Sequence, residues 1–402
     1  MGYLTRHMEH ELRECLSQFK VVLVTGPRQV GKTTMLRHVL GDSYRYVSLD
    51  DPDLLSRVHD DPALFFQQYK APLVLDEVQH APELFLRIKY LVDQSDSYGQ
   101  IVLTGSQTYH LMSGVSESLA GRVGILEMPP VSLRERLGLG NHRPYVPSDE
   151  PAPHSGPQVD VWDVIHRGSM PRLLDESVDW SRYYASYVSS YIERDVRNLV
   201  NVRNTSRFYD FMVACAARTG QLFNSSDIAS VVGVDAKTVR GWVSALEASG
   251  VVRLLRPFFS NTEKRLTKTP KLFFMDTGLA CYLAAWPDAE TLRRGAAAGH
   301  MFETFVVGEV LKSYMNAGAD TRDVSFYRDA SKREIDLVIR EGRTLHPVEI
   351  KSGAAIRPPA CKHFSALDGI DGYERGFGAV ICQTEEPYLL AGDVEAIPTW
   401  MV

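Results

Sequence analysis

The chain is poor in cysteine and has no long apolar run. Its five cysteines (Cys15, Cys215, Cys281, Cys361 and Cys382) lie far apart, with no CxxC pair. That excludes a disulfide framework and a cysteine-based zinc site, and it points to a reducing compartment. No stretch approaches the ~20 apolar residues that a membrane span needs. The opening Met1-Gly2-Tyr3-Leu4-Thr5-Arg6-His7 lacks the apolar core of a signal peptide. A soluble, cytoplasmic protein with no membrane partner is expected. There is no excess of basic charge either: the net charge is -6, so a nucleic acid would have to be met by local patches. What remains is an ordinary globular composition, 44% hydrophobic and 23% charged over 402 residues. That length exceeds one compact core, and about two to four domains are expected.

Between about 20 and 127, short apolar runs alternate with helix-like stretches. Residues 21–25, 44–49, 73–75, 101–104 and 124–128 are β-branched or apolar through their middles, as strands buried on both faces are. This alternation predicts an α/β core, a parallel sheet with helices on both faces. The proline- and glycine-rich residues 138–160 read as a linker or surface excursion. Residues 162–202 read as helical, and Tyr183, Tyr184, Tyr187 and Tyr191 share one face, a stripe assigned to packing. Residues 225–248 then read as helix, glycine-containing turn and second helix, followed by a strand from Val251. This is the pattern of a helix-turn-helix with a wing.

Gly26-Pro27-Arg28-Gln29-Val30-Gly31-Lys32-Thr33, followed by Thr34, lies between a strand and a helix, the context that a phosphate-binding loop requires. Gly26 and Gly31 let the backbone curl its N–H groups toward the phosphates of ATP, and the helix N-terminus adds a favourable field. Lys32 would neutralise phosphate charge and the Thr33 hydroxyl would ligate Mg²⁺. Leu73-Val74-Leu75-Asp76-Glu77 follows, with Asp76 lying 44 residues after Lys32 and one strand between them. Asp76 suits Mg²⁺ and Glu77 suits polarisation of the attacking water, which favours hydrolysis over kinase chemistry. Ser106 or Gln107, after the next strand, is the expected γ-phosphate sensor. Arg122 could contact phosphate in cis or in a neighbouring subunit, and a solvated surface arginine is an equal alternative. Arg122 or Arg194 acting in trans would require a homo-oligomer.

Gly-Pro-Arg-Gln-Val-Gly-Lys-Thr-Thr, Leu-Asp-Glu-Val-Gln, Leu-Thr-Gly-Ser-Gln, Leu-Ala-Gly-Arg and Met275-Asp276-Thr277-Gly278-Leu279 occur in this order. The set resembles a family of prokaryotic AAA-type P-loop ATPases joined to a C-terminal domain of unknown function. The resemblance implies an AAA-type core, placed over 1–137, with the linker expected over 138–160 and a helical lid expected over 161–206. It further implies a winged helix over 207–285 and a restriction-endonuclease-like α/β tail over 296–402.

Two further constellations bear on function. Lys237, Arg240 and Trp242 lie on the second helix of the helix-turn-helix. The 21 residues from Val251 to Lys271 carry Arg253, Arg256, Lys264, Arg265, Lys268 and Lys271 against the single acid Glu263. This footprint suits DNA phosphates, with Lys237, Arg240, Arg253 and Arg256 as the contacts; a module that only packs against its neighbours is the alternative. In the tail, Ile335-Asp336-Leu337-Val338-Ile339 and Val348-Glu349-Ile350-Lys351 read as adjacent strands, with Glu349 and Lys351 on one face. Asp336, Glu349 and a helical Glu303 could hold Mg²⁺ while Lys351 orients a water, a set that resembles the PD-(D/E)XK nuclease core. Two readings stand: an ATP-dependent nucleic-acid-processing enzyme with a nuclease tail, or an ATP-driven switch whose tail binds without cutting.

Overall fold

The computed structural model describes residues 2–105, 118–140, 143–150, 156–191, 205–260 and 268–402. Five strands near the N-terminus form one parallel sheet: β1 (Val21–Thr25), β2 (Arg45–Ser48), β3 (Leu73–Asp76), β4 (Ile101–Thr104) and β5 (Val123–Glu127), in the order β2-β3-β4-β1-β5. They match the five runs expected from the sequence to within two residues at either end. Strand alternation divides β1 between two cores. Val22 and Val24 pack with Met8, Leu12, Met35 and Leu36, whereas Val21 and Leu23 pack with Phe65, Leu84, Phe85 and Ile88. Helices therefore cover both faces, and each fully buried aliphatic side chain contributes roughly 1.5–3 kcal/mol.

The middle of the chain adds helices and a small sheet. The tyrosine-bearing helix Trp180–Tyr191 buries Tyr184, Tyr187 and Tyr191, so the stripe is packing. Helices Ser225–Val232 and Ala236–Ala248 are joined at Gly233, whose φ of +74° closes the turn. Asn224 and Asp235 cap them by accepting from backbone N–H groups. Trp242 is not presented to solvent; it packs between Phe208 and Phe211. Strands β6 (Gln221–Leu222), β7 (Val252–Leu255) and β8 (Lys271–Phe274) form an antiparallel sheet in the order β6-β8-β7.

The C-terminal part begins with the helix Ala298–Asn316. Its mixed sheet comprises β9 (Val324–Arg328), β10 (Glu334–Glu341), β11 (Thr344–Ile350), β12 (Glu374–Arg375), β13 (Gly378–Cys382), β14 (Tyr388–Ala391) and β15 (Val394–Pro398). Strand β10 runs antiparallel to β9 and β11, while β13 runs parallel to β11 and β15. The stretch read as a linker lies against this part of the chain. The backbone N–H of Tyr145 donates to Ser313 Oγ at 2.9 Å, and Gly156 sits so close to the Trp400 indole that a Cβ would overlap it. One apolar cluster runs from Val22 through Phe208, Val252 and Phe302 to Val348 and Ile381, so the three parts share a core.

Candidate functional site

The phosphate loop leaves the carboxyl end of β1 and enters the helix Lys32–Leu40. Gly26 has a φ of +136°, and a Cβ on it would stand 2.2 Å from the Met128 carbonyl oxygen, so only glycine fits. Gln29 and Gly31 also take positive φ, which gives the loop its curl. Lys32 is buried, and its Nζ donates to the carbonyls of Gly26 and Pro27 at 2.9 Å each. The Thr33 hydroxyl donates to Asp76 Oδ2 at 3.0 Å. Burial, chiefly, pushes the Asp76 carboxyl above the usual range, against the Thr33 hydrogen bond. A buried carboxylate beside a threonine hydroxyl at the head of a phosphate loop fits Mg²⁺ bound with nucleotide phosphates.

Glu77 holds a left-handed backbone at φ +56° and contacts the Gln79 amide. Strain of this kind in a non-glycine residue gathers at functional positions. Of the sensor candidates, Ser106 and Gln107 lie outside the described residues, as does Arg194. Arg122 is a correction with respect to a contact in cis. Val123 pairs with Val21 at the amino end of β1, whereas the phosphate loop leaves the carboxyl end. A strand length, roughly 15 Å, separates them. Arg122 instead bridges to Asp93, with Nη2 to Oδ2 at 3.0 Å.

Three residues at this site were missed in the sequence. Tyr46 on β2 contacts Asp76 through its hydroxyl, and the Arg37 guanidinium lies 4.2 Å from its ring centroid. The Thr104 hydroxyl is fully buried at the end of β4, with no hydrogen-bond partner among the described residues. Arg6 lies under the loop, donating to the Val30 carbonyl at 2.7 Å, the Pro129 carbonyl at 2.8 Å and Glu135 at 3.0 Å. Strand polarity could have marked Thr104, the last residue of β4, whereas Tyr46, the second residue of β2, reaches Asp76 only through the length of its side chain. Nothing local marks Arg6, whose partner Glu135 is far along the chain.

The basic footprint divides. Lys237 and Arg240 are exposed, with Gly241 and Ser244 on the same helix face. Arg253 is a correction: it is largely buried and ion-paired with Glu127 at the end of β5, so it faces the ATPase core rather than a nucleic acid. Arg256 is half-buried, and its carbonyl accepts from Phe326 N–H at 3.3 Å. Lys264 and Arg265 lie outside the described residues.

Asp336, Glu349, Lys351 and Glu303 do converge. Leu337 pairs with Val348, which brings Asp336 and Glu349 to neighbouring positions. Asp336 Oδ2 accepts from Ile350 N–H at 2.8 Å, and Lys351 donates to Glu349 at 2.6 Å. Burial first, then the carboxylates of Glu349 and Glu303, push Asp336 up to about 7. Two residues missing from the expected set complete the cluster, Lys271 and Glu334. Lys271 Nζ lies 2.8 Å from Glu303 and 2.7 Å from Glu334. Among the described residues, no group of three or more acidic, histidine or cysteine side chains is arranged to hold a metal ion. The expected Mg²⁺ set does not fit, because ammonium groups already neutralise two of its carboxylates, Lys271 that of Glu303 and Lys351 that of Glu349. A lysine heading the apolar run Lys271-Leu272-Phe273-Phe274 was the signal for a buried, paired cation.

Three family models match consecutive stretches: an AAA domain over residues 18–137, a Domain of unknown function (DUF8612) over residues 158–290 and a Domain of unknown function (DUF4143) over residues 298–402. Residues 18–137 are a P-loop AAA ATPase domain. Uncharacterized protein Rv2008c of Mycobacterium tuberculosis and Uncharacterized protein Mb2031c of Mycobacterium bovis are each 29% identical over 347 residues, 85% of this chain and 72% of theirs. The Walker-type ATPase PABY2304 of Pyrococcus abyssi aligns over 69% of this chain and 94% of its own, at 15% identity and a TM-score of 0.43. No helix of the described residues is long and apolar enough to cross a membrane.

Proposed function

We propose that this chain binds and hydrolyses ATP and uses the cycle as a switch acting on the parts beyond its AAA domain. The observation that carries this reading is the Thr33–Asp76 hydrogen bond of 3.0 Å, with Glu77 beside it and Lys32 buried under the loop. Loop N–H groups and Lys32 would bind the phosphates, and Glu77 would orient and polarise the attacking water. Thr33 and Asp76 would hold Mg²⁺, which supplies charge neutralisation on the phosphate oxygens. Gln79, against Glu77, would fix the carboxylate's direction. Lys32→Ala is expected to abolish nucleotide binding, whereas Glu77→Gln should bind ATP and release phosphate at least about a hundredfold more slowly. Wild-type turnover in both variants would overturn the reading.

Duplex DNA as the responding partner is favoured by the exposed face Lys237, Arg240, Gly241 and Ser244 on the second helix of the turn. Salt-dependent binding of duplex DNA that weakens in Lys237→Ala with Arg240→Ala is the test. Cleavage by the C-terminal centre is not part of this reading, since Lys271 stands among its acids.

A further inference from the structure

Lys271 belongs to β8, in the small sheet of the middle region, yet its charge lies in the C-terminal part. Its side chain is 5% exposed. The Nζ lies 2.8 Å from Glu303 Oε1 on the helix Ala298–Asn316 and 2.7 Å from Glu334 Oε1 on β10. It also lies 5.4 Å from the centroid of the Phe326 ring on β9. Buried carboxylates left without a cation are costly, and oxygen-rich clusters ordinarily recruit a divalent metal. Here an ammonium from another sheet supplies the positive charge. Asp336 meanwhile accepts from Ile350 N–H, and Glu349 from Lys351.

We propose that Lys271 is the resident cation of this acidic centre, closing it to metal ions and latching the small sheet to the C-terminal sheet. The latch is reinforced beside it. Thr219 Oγ1 and Thr304 Oγ1 lie 2.9 Å apart, and Phe274 N–H donates to Thr219 Oγ1 at 3.2 Å. The segment after β7 continues the seam, with Phe258 N–H donating to the Phe326 carbonyl at 2.6 Å. At its other end, the same β7–β8 ribbon reaches the ATPase core. Arg253 on β7 pairs with Glu127, and Gly250 packs against Pro27 of the phosphate loop. Because Leu255 pairs with Lys271 and Arg253 with Phe273, one short ladder carries both contacts. The assignment stands whether or not the loop hydrolyses ATP.

The test is Mn²⁺ binding by the full chain, measured by calorimetry without nucleotide in an Asp76→Asn background that silences the phosphate loop. Adding Asp336→Asn to that otherwise native chain is expected to change Mn²⁺ binding by less than about twofold, within the error of such a titration. A tenfold or greater weakening by Asp336→Asn would show a metal already seated there and would overturn the assignment. Lys271→Met, which keeps the stem and removes the charge, is expected to lose roughly 5 °C in Tm. It should also gain saturable Mn²⁺ binding that recovers the loss, with both effects abolished by Asp336→Asn. An unchanged Tm with no Mn²⁺ gained would mean that Lys271 only fills space, and would equally overturn it. Should Lys271→Met fail to fold, the comparison with Lys271 intact decides the matter.

Discussion

Arg6 and Glu135 form a buried ion pair of 3.0 Å across 129 residues of sequence, and the same guanidinium holds the Val30 carbonyl of the phosphate loop. Glu135 also accepts from His7 N–H and Ser132 N–H at 2.8 Å each, completing a capping box with Ser132. The pair thus ties the N-terminal segment, the loop and the end of the sheet together. Removing the guanidinium leaves a buried carboxylate and a loop carbonyl without their donor. Arg6→Met is expected to cost roughly 3–5 kcal/mol in stability. Nucleotide affinity should fall as well, measured by calorimetry at a temperature where the variant remains folded.

Acid should act through the same pair. Burial works against ionisation of Glu135, but Arg6 and the Ser132 and His7 N–H groups outweigh it, holding its carboxyl below the usual range. A depressed carboxyl contributes stability that is fully present above its unfolded value of about 4.3 and is lost as pH falls through the folded value. Denaturant midpoints of Glu135→Gln and the native chain should therefore differ most at neutral pH and converge below about pH 4. A difference that is constant with pH would refute this account.

Gly26 offers a sharper probe of the loop, because its substitution leaves every functional side chain in place. A Cβ there would meet the Met128 carbonyl oxygen at 2.2 Å, in a backbone conformation that L residues avoid. Gly26→Ala is expected to weaken nucleotide binding by at least about tenfold, 1.4 kcal/mol. Isothermal titration with a non-hydrolysable ATP analogue measures it.

The basic residues should separate by salt dependence. Lys237→Ala with Arg240→Ala is expected to reduce the slope of log affinity for duplex DNA against log salt by about two. Arg253→Ala should leave that slope unchanged while lowering Tm, since its partner is Glu127. A fall in slope with Arg253→Ala would return it to the DNA surface.

What could be read from the sequence follows the range of the interactions. The central strands β1, β3 and β4 are buried, largely apolar runs, and the phosphate loop is a contiguous motif, so both are local signals. The same holds for the Lys271 strand itself, whose apolar neighbours announce burial. The partners of Lys271 lie 32 and 63 residues away, on elements whose approach only tertiary packing decides. Arg253 and Lys271 counted as members of a surface patch because charge composition carries no direction. Leu119-Ala120-Gly121-Arg122 says nothing of direction, whereas strand polarity puts Arg122 at the opposite edge of the sheet from the phosphate loop. The segment 138–160 has a linker's composition, but Tyr145 and Gly156 bind it to Ser313 and Trp400.

The apolar cluster that passes without interruption from the parallel sheet to the C-terminal sheet bears on how such chains can be recombined. Three stretches match three separate family models, which invites treating them as interchangeable cassettes. A graft made at residue 137 or 298 would bare the apolar surface that Val252, Phe302 and Val348 now cover. A foreign ATPase unit could join this tail only by bringing a face shaped to it. Changes on either side of these seams must therefore accumulate in step, as they do between permanently associated subunits, although here both sides belong to one chain.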